Sequence, residues 1–142
     1  MFASRPAPAM PNVILLMTDD QGYGDLGCHG NAILRTPNID RFYGDAVRLT
    51  NFHVSPTCSP TRGALLTGRD TNRVGTWHTI MGRSLLCRDE VTLADLAWGA
   101  GYRTAMFGKW HLGENYPFRP QDRGFHESLT FGGGAIGNAQ DY

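Results

Sequence analysis

The chain of 142 residues carries 13 lysines and arginines against 13 aspartates and glutamates, so its formal charge at neutral pH is zero. Proteins that bind nucleic acid through its phosphates normally carry a clustered excess of basic side chains, and this sequence does not. Apolar residues make up 41% of the chain and charged residues 18%, a composition that is typical of a folded domain and excludes a disordered one.

The first residues predict a short leader and no membrane span. Residues 1–11 are rich in proline and alanine, which favours a flexible leader before a folded part at residues 12–142. The longest purely apolar run, residues 13–17, is far shorter than the roughly 20 residues that cross a bilayer. Residues 1–11 also lack the apolar stretch of a secretory signal, so the compartment stays open.

The first half of the chain predicts two strands and a helix. The aliphatic run at residues 13–17, bounded by polar residues, predicts a buried strand. A helix is expected to begin at Pro37, where Thr36 provides an N-cap and apolar residues recur at helical spacing as far as Val47. A second strand is expected at residues 47–54.

Two more helices and a third strand are predicted downstream. Residues 59–68 form a helix that begins with Ser-Pro and ends at glycine, and residues 92–98 form another. Residues 104–107 are the third strand. Strands separated by short helices favour an α/β fold with a largely parallel sheet. The pattern weakens after Gly108, so we expect the chain to stop within the fold, with an uncovered sheet edge.

Adjacent carboxylates follow the first predicted strand. Asp19 and Asp20 lie at its carboxyl end, where ligands gather in open α/β sheets. Neighbouring side chains of an extended segment point apart, so the pair grips one ion only where the backbone turns, and Gly22 makes a turn easy. Carboxylate oxygens suit a hard cation such as Ca²⁺ or Mg²⁺. A helix cap or a solvated turn is the alternative.

Glycines at positions 22, 24 and 27 formally match the G-x-G-x-x-G pattern of dinucleotide-binding proteins. That pattern needs a helix that opens beneath the pyrophosphate, and residues 28–31 have no helical periodicity. The two preceding carboxylates would also repel a pyrophosphate. A dinucleotide-binding protein that uses Gly22, Gly24 and Gly27 is therefore a distant alternative.

Cys58 lies immediately before the predicted helix at residues 59–68. A helix N-terminus stabilises negative charge, so this position favours a thiolate or another anionic centre. Arg62, about one helical turn later, can bring its guanidinium back towards the same point. The alternative is a buried small residue and a surface cation. The spacing of Cys58 and Arg62 is too short for the phosphate-binding loop of cysteine-dependent phosphatases.

Lys109 and His111 follow the third predicted strand. They face the same side if the segment remains extended, because alternate residues of a strand share a face. A fixed cation beside a titratable imidazole suits a site that binds an anionic group and moves a proton. On its own, a Lys-x-His pair also occurs at ordinary surface strand ends.

Three segments, which begin at Asp19, Cys58 and Gly101, together resemble the N-terminal motifs of the formylglycine-dependent sulfatases. Residues 58–68, with Cys-x-Pro-x-Arg and a trailing Leu-Leu-Thr-Gly, resemble the family motif at nearly every position. Residues 101–111 resemble the second motif, apart from Phe107, where the family usually has a smaller residue. The resemblance implies the N-terminal part of an alkaline-phosphatase-like α/β sandwich, with a largely parallel central sheet flanked by helices and incomplete in this chain.

The resemblance also implies a sulfuric ester hydrolase of the arylsulfatase type. A formylglycine-generating enzyme would oxidise Cys58 during maturation, and the new aldehyde would hydrate to a gem-diol. One hydroxyl would attack the sulfur of a sulfate monoester and release the alcohol, and the second would let the covalent sulfate leave. An ordinary serine or cysteine nucleophile would be left as a stable ester.

The family likeness assigns further roles by position. Asp19 and Asp20 would bind a divalent cation, usually Ca²⁺ with Mg²⁺ possible, together with the oxygen of the modified cysteine. Arg62 would hold the diol, Lys109 would contact sulfate, and His111 would help to break down the sulfated enzyme.

The family completes its metal site and its leaving-group contacts with residues well downstream of any position in this chain. We therefore expect an N-terminal fragment of the catalytic domain without appreciable turnover of its own. A phosphonate or phosphate monoester hydrolase of the same superfamily is an alternative, and a module that keeps the scaffold but lacks maturation is a more distant one. The sulfate ester stays open among aryl, steroid and carbohydrate types, and relatives are often periplasmic, secreted or lysosomal.

Overall fold

A computed structural model of the protein describes residues 10–80 and 82–136. The chain divides into two compact units, Met1–Val47 and Arg48–Tyr142. The predicted leader, residues 1–11, lies outside the described residues except for its last two positions. No helix in the described ranges is long and apolar enough to cross a membrane.

The first unit consists of one helix and a glycine-rich loop. Helix α1, Pro37–Asp45, follows two turns of 3-10 helix at Tyr23–Asp25 and Gly27–His29. Proline fits the first helical position because the amide that it lacks would have no partner within the helix. The predicted helix is thus confirmed, although it ends at Asp45 and not at Val47.

Asp40 ties α1 to the loop before it. Its carboxylate accepts the backbone N–H of Cys28 and the hydroxyl of Thr36, each at 2.8 Å. The Thr36 oxygen also accepts the amide of Gly27, so Thr36 precedes α1 as predicted but its side chain does not cap the helix. A Cβ at Gly27 would lie 2.6 Å from Asp40 Oδ2, so a larger residue there would have to displace the Asp40 carboxylate from its hydrogen bonds.

Two of the three predicted strands are wrong. Residues 13–17 form no strand and are exposed, with Ile14 at 82% and Leu16 at 90%. Residues 47–54 form no strand either, and their apolar side chains are largely exposed. Apolar runs predict burial, but a strand also needs a neighbouring strand to bond its amides and carbonyls. Neither segment has such a neighbour within residues 10–80 and 82–136.

The second unit contains two helices and a parallel pair of strands. Helix α2 spans Cys58–Thr67 and helix α3 spans Leu93–Gly99. Strand β1, Ala105–Lys109, runs parallel to strand β2, Glu127–Phe131, and their residues pair one to one from end to end. The third predicted strand and the parallel pairing are therefore confirmed.

Strand β2 is absent from the sequence-based predictions. Its signal is present but short, because Leu129 and Phe131 alternate with polar residues before a run of glycines. The connection from β1 contains only one short 3-10 turn, Pro120–Asp122, so no helical pattern marks the crossover between the strands. A strand that does not follow a recognisable helix is easily missed in an α/β pattern.

The helices of the second unit lie where the sequence predicts them. The Thr92 hydroxyl accepts the N–H of Asp95, while the Asp95 carboxylate accepts the amide of Thr92 in return. Gly68 ends α2 in the left-handed conformation, at φ 66°, and donates its amide to Ala64. One boundary differs from the prediction, since Cys58 is the first residue of α2 and not the residue before it.

A small apolar core connects the loop after α2 with the end of β1. Its fully buried members are Val74, Leu86, Trp110 and Leu112. The amide of Leu86 donates to the carbonyl of Leu112, which fixes this loop against the segment that follows β1. Helix α2 joins the same region because Gly63 lies against Thr76, a fully buried residue.

Replacement of Gly63 tests this close packing. A Cβ at position 63 would overlap the buried Thr76 hydroxyl. We expect Gly63→Ala to lower the free energy of unfolding by about 1–3 kcal/mol, despite a helix-propensity gain of up to about 1 kcal/mol. The matched control is Gly44→Ala in α1, where the added methyl group would have no neighbour within 4 Å, so this variant should be neutral or more stable. Chemical denaturation followed by circular dichroism measures both, and equal effects would refute the packing.

The Asp40 hydrogen bonds predict an acid-dependent stability. The hydroxyl of Thr36, followed by the amide of Cys28, holds the pKa of Asp40 below its ordinary value. This stabilisation is fully present above the unfolded pKa of about 3.9 and is lost as the pH falls through the lower folded pKa. Asp40→Asn should therefore flatten the acid limb of unfolding free energy against pH, and Thr36→Val should flatten it partly. If both variants keep the same dependence of unfolding free energy on acid pH as the parent protein, the prediction is wrong.

Candidate active site

Helix α2 presents its N-terminus at Cys58, whose side chain is half-buried. Thr57 precedes the helix, and its side chain makes no capping hydrogen bond. The first amides of α2 therefore keep the partial positive charge of a helix terminus without a side-chain cap from this residue. This geometry agrees with the predicted preference for an anionic centre at position 58.

Ser59, the next residue, is completely buried. Its hydroxyl has no hydrogen-bond partner among the residues that the structure describes. A buried hydroxyl without a partner is costly, so such a group usually has a reason to be there. A polar ligand or a modified side chain next to it would be such a reason.

Arg62 joins α2 to the end of β1. Its Nη1 donates to the carbonyl oxygen of Lys109 at 2.6 Å, and the Arg62 side chain is only 7% exposed. Hydrogen bonds from a charged donor are stronger than neutral ones, and burial limits competition from water. Arg62 is thus a buried cation that links two predicted site segments, and the surface-cation alternative is wrong.

Lys109 and His111 are both buried at the carboxyl end of β1, with 9% and 3% exposure. The backbone amide of His111 donates to Gly132, just beyond the end of β2, at 2.8 Å. Helix α2 and the ends of β1 and β2 therefore meet around these two residues. The structure brings Arg62, Lys109 and His111 into one buried region of the second unit.

The imidazole of His111 is oriented by a backbone carbonyl. Its Nε2 lies 2.8 Å from the carbonyl oxygen of Thr79. A carbonyl only accepts hydrogen bonds, so Nε2 carries the hydrogen and donates it. Nδ1 is then the nitrogen that takes up or releases a proton.

Left-handed backbone marks two of the predicted site residues. Among the described residues other than glycine, only Asp20, at φ 54°, and His111, at φ 58°, have positive φ. Such conformations cost on the order of 1–3 kcal/mol, with aspartate more tolerant than histidine, and they cluster at functional sites. Both residues are among the candidate site residues predicted from the sequence.

The left-handed backbone of His111 also corrects one expectation. The alternation argument for Lys109 and His111 requires an extended segment through both residues. Strand β1 ends at Lys109, and the φ of His111 takes the chain out of the extended region. Their burial at one strand end, and not a shared strand face, is what relates them.

Asp19 and Asp20 lie on an exposed bend of the first unit. The backbone turns at Asp20, as the proposed grip on one ion requires. No three side chains of His, Cys, Asp or Glu converge as a metal site within residues 10–80 and 82–136. A metal shared by these aspartates and Cys58 stays a prediction.

The glycines at 22, 24 and 27 do not form a phosphate-binding loop. They are followed by 3-10 turns, and the amides of Gly27 and Cys28 are already bonded to Thr36 and Asp40. A pyrophosphate would have to displace the Asp40 carboxylate and would be repelled by it. The local geometry therefore disfavours the dinucleotide alternative.

Ser59 and Thr79 are neighbours of the site that sequence reasoning does not find. The residue type of Thr79 carries no signal, because only its main-chain carbonyl contacts His111. Ser59 lies within the recognised motif, but its complete burial depends on the tertiary structure.

A cleft of about 340 Å³ lies beside β2. None of the candidate catalytic side chains lines it.

Comparison with known proteins gives independent evidence on the family of this chain. The sulfatase family model matches residues 11–141. The chain is 47% identical to mouse steryl-sulfatase over 117 residues, and 43% identical to human arylsulfatase A over 125 residues. These matches cover 76% and 84% of this chain, but only 19% and 25% of the two relatives. A crystal structure of Ps i-CgsB in complex with k-i-k-neocarrahexaose superposes with a TM-score of 0.76 at 33% identity, over 82% of this chain and 27% of that one.

The chain belongs to the sulfatase family. Its α/β architecture with a parallel sheet corresponds to part of the alkaline-phosphatase-like fold of the sulfatase structures, which confirms the expected fold class. The chain spans about a fifth to a quarter of the length of the relatives described above.

Removal of the Arg62 guanidinium tests the link between α2 and β1. We expect Arg62→Met to lower the free energy of unfolding by about 1.5–3 kcal/mol, because it deletes a buried charge-assisted hydrogen bond. Arg69→Met is the matched control, since Arg69 is 47% exposed and its ion pair with Glu90 should contribute less than about 1 kcal/mol. Urea denaturation measures the free energy of unfolding of both variants. A smaller loss of stability for Arg62→Met than for Arg69→Met would show that Arg62 is not a stabilising link between α2 and β1.

Proposed function

We propose that this chain supplies the nucleophile-bearing part of a sulfuric ester hydrolase that cleaves sulfate monoesters. The observation that carries the proposal is the hydrogen bond from Arg62 to the Lys109 carbonyl. It joins the helix terminus at Cys58 to the strand end that bears the buried cation and imidazole. Membership of the sulfatase family supports the reaction class.

The anionic sulfate would be bound by the N-terminus of α2 and by two cations. Arg62 and Lys109 are each less than a tenth exposed, so their charges are weakly screened by water. Cations in such surroundings favour a negatively charged sulfate group over a neutral ester. Lys109 would contact the sulfate, and Arg62 would hold the group at position 58 in place.

Proton transfer would fall to His111. Because Nε2 is occupied by Thr79, Nδ1 would exchange the proton that the reaction moves. The carbonyl contact keeps the ring in one tautomer when it is neutral, as a general acid or base requires. Ser59 would donate to, or accept from, an oxygen of the group at position 58.

The residue types at positions 19, 20 and 58 suit the groups that the family implies. Cys58 would be converted to formylglycine by a formylglycine-generating enzyme, and the hydrated aldehyde would supply a hydroxyl that attacks sulfur. The carboxylates of Asp19 and Asp20 are ligands that suit Ca²⁺ or Mg²⁺. A divalent cation held there would supply Lewis-acid polarisation of sulfate oxygens, and further ligands would complete its coordination.

The names of similar proteins indicate the class of substrate. The relatives are named for steryl and aryl sulfates, and the similar crystal structure holds a neocarrahexaose. The names of the two relatives have a sulfate ester in common, and a sulfate monoester of an alcohol or a phenol is the substrate class that we propose. A small aryl sulfate is therefore the appropriate first test compound, with a phosphonate ester assayed beside it for the superfamily alternative.

Modification of Cys58 is the most direct test. We expect thiol alkylation of the denatured protein, produced together with a formylglycine-generating enzyme, to label Cys28 and Cys87 but not position 58. The intact mass should show the loss of one sulfur and two hydrogens and the gain of one oxygen. Without the maturation enzyme, all three thiols should be labelled. If the complete gene product, produced together with the maturation enzyme, hydrolyses sulfate esters while Cys58 is still fully labelled, the proposal is ruled out.

Activity is measured in the complete natural gene product that contains this sequence. Cys58→Ala should lower kcat/KM for 4-nitrophenyl sulfate by about a thousandfold or more, as the loss of a nucleophile does. The matched control is Cys87→Ala, which removes an exposed thiol and should leave the rate unchanged. Equal rates for the two variants would exclude Cys58 as the nucleophile.

A further inference from the structure

An exposed aromatic side chain and a cation are paired on the loop that follows α2. We define the Trp77 loop as residues 76–80 and 82–83. Trp77 is 51% exposed, and the guanidinium carbon of Arg83 lies 4.7 Å from the centre of its ring. Within the described part of the chain, no carboxylate forms an ion pair with Arg83. The pair therefore combines a large apolar surface with a cation whose charge no carboxylate of the described residues neutralises.

The Trp77 loop is fixed at two points to elements of the candidate active site. At the first, fully buried Thr76 packs against Gly63 of α2. At the second, the carbonyl of Thr79 accepts the hydrogen bond from His111. Trp77 lies between these anchors in the chain, so its backbone is held next to both the helix with the nucleophile position and the proposed proton-transfer group.

A backbone turn then brings Arg83 back to the aromatic ring. The amide of Arg83 donates to the carbonyl of Ile80, and the amide of His78 donates to the carbonyl of Arg83, each at 3.1 Å. These bonds place Arg83 beside the segment that carries Trp77. The position of the cation over the ring thus follows from the main chain as well as from the cation–π attraction.

We propose that Trp77 and Arg83 recognise the part of the substrate beyond the reacting sulfate, and that they select a sugar ring with a second anionic group. This proposal rests on the proposed sulfatase function. The indole face would stack on the apolar C–H face of the sugar, and Arg83 would bind a second sulfate or a carboxylate through its planar donors. A neutral apolar ring fits less well, because it would cover the cation without pairing it.

A purely structural cation–π pair makes different demands. It would add modest stability to the loop, and its loss would affect all substrates alike through the position of His111. A recognition surface acts on KM and depends on the charge of the substrate. Substrates that share the reacting sulfate but differ in the second anionic group therefore separate the two roles.

The test uses the matured complete gene product and three substrates: 4-nitrophenyl sulfate, a monosulfated disaccharide, and the same disaccharide with a second sulfate. Arg83→Gln should raise KM for the disulfated compound about threefold to tenfold and change the other two by less than about twofold. Trp77→Ala should raise KM for both disaccharides, and Trp77→Phe should recover most of the loss. Arg73→Gln, at an exposed arginine outside the Trp77 loop, is the matched control and should change none of these values.

The outcomes separate this inference from the function on which it rests. If the parent protein hydrolyses no sulfate ester, the proposed function fails and the recognition with it. If the parent hydrolyses 4-nitrophenyl sulfate, but Arg83→Gln alters both disaccharides equally or neither disaccharide is a substrate, only the recognition is overturned.

Discussion

The hydrogen bond from Arg62 to the carbonyl of Lys109 is the contact on which the candidate site depends. It joins helix α2, which begins at Cys58, to strand β1, which ends at Lys109. One buried cation therefore fixes the helix and the strand relative to each other. An apolar side chain of similar length could fill the space but could not donate a hydrogen bond to the carbonyl. The same guanidinium brings positive charge to a place where an anion would be bound, so the requirements of packing and of chemistry coincide in one residue.

The helices were predictable because their signals are local. Pro37 and Gly68 mark helix ends through their own backbone preferences, and Thr92 does so through a side chain three residues from its partner Asp95. Strands depend on distant partners, and this explains the errors at residues 13–17 and 47–54. Both segments have the apolar content of buried strands, but the described residues place no neighbouring strand beside them.

Candidate site residues could be selected from the sequence where the proposed chemistry requires a particular side chain. Cysteine at a helix start, arginine one turn later, and lysine and histidine after a strand are all visible in the sequence, and the structure buries the last three together. Contacts that use the main chain are not visible in this way. The orientation of His111 depends on a carbonyl and on an unusual φ, and neither property is specified by the identity of a nearby residue.

The use of a main-chain carbonyl to hold His111 has an evolutionary implication. Any amino acid at position 79 offers the same oxygen, so side chains around this turn are free to diverge while the imidazole keeps its tautomer. A substitution on the neighbouring surface can therefore change what that surface binds and leave the orientation of His111 intact. In this turn the side-chain atoms can vary, while the main-chain carbonyl of residue 79 keeps its contact with His111.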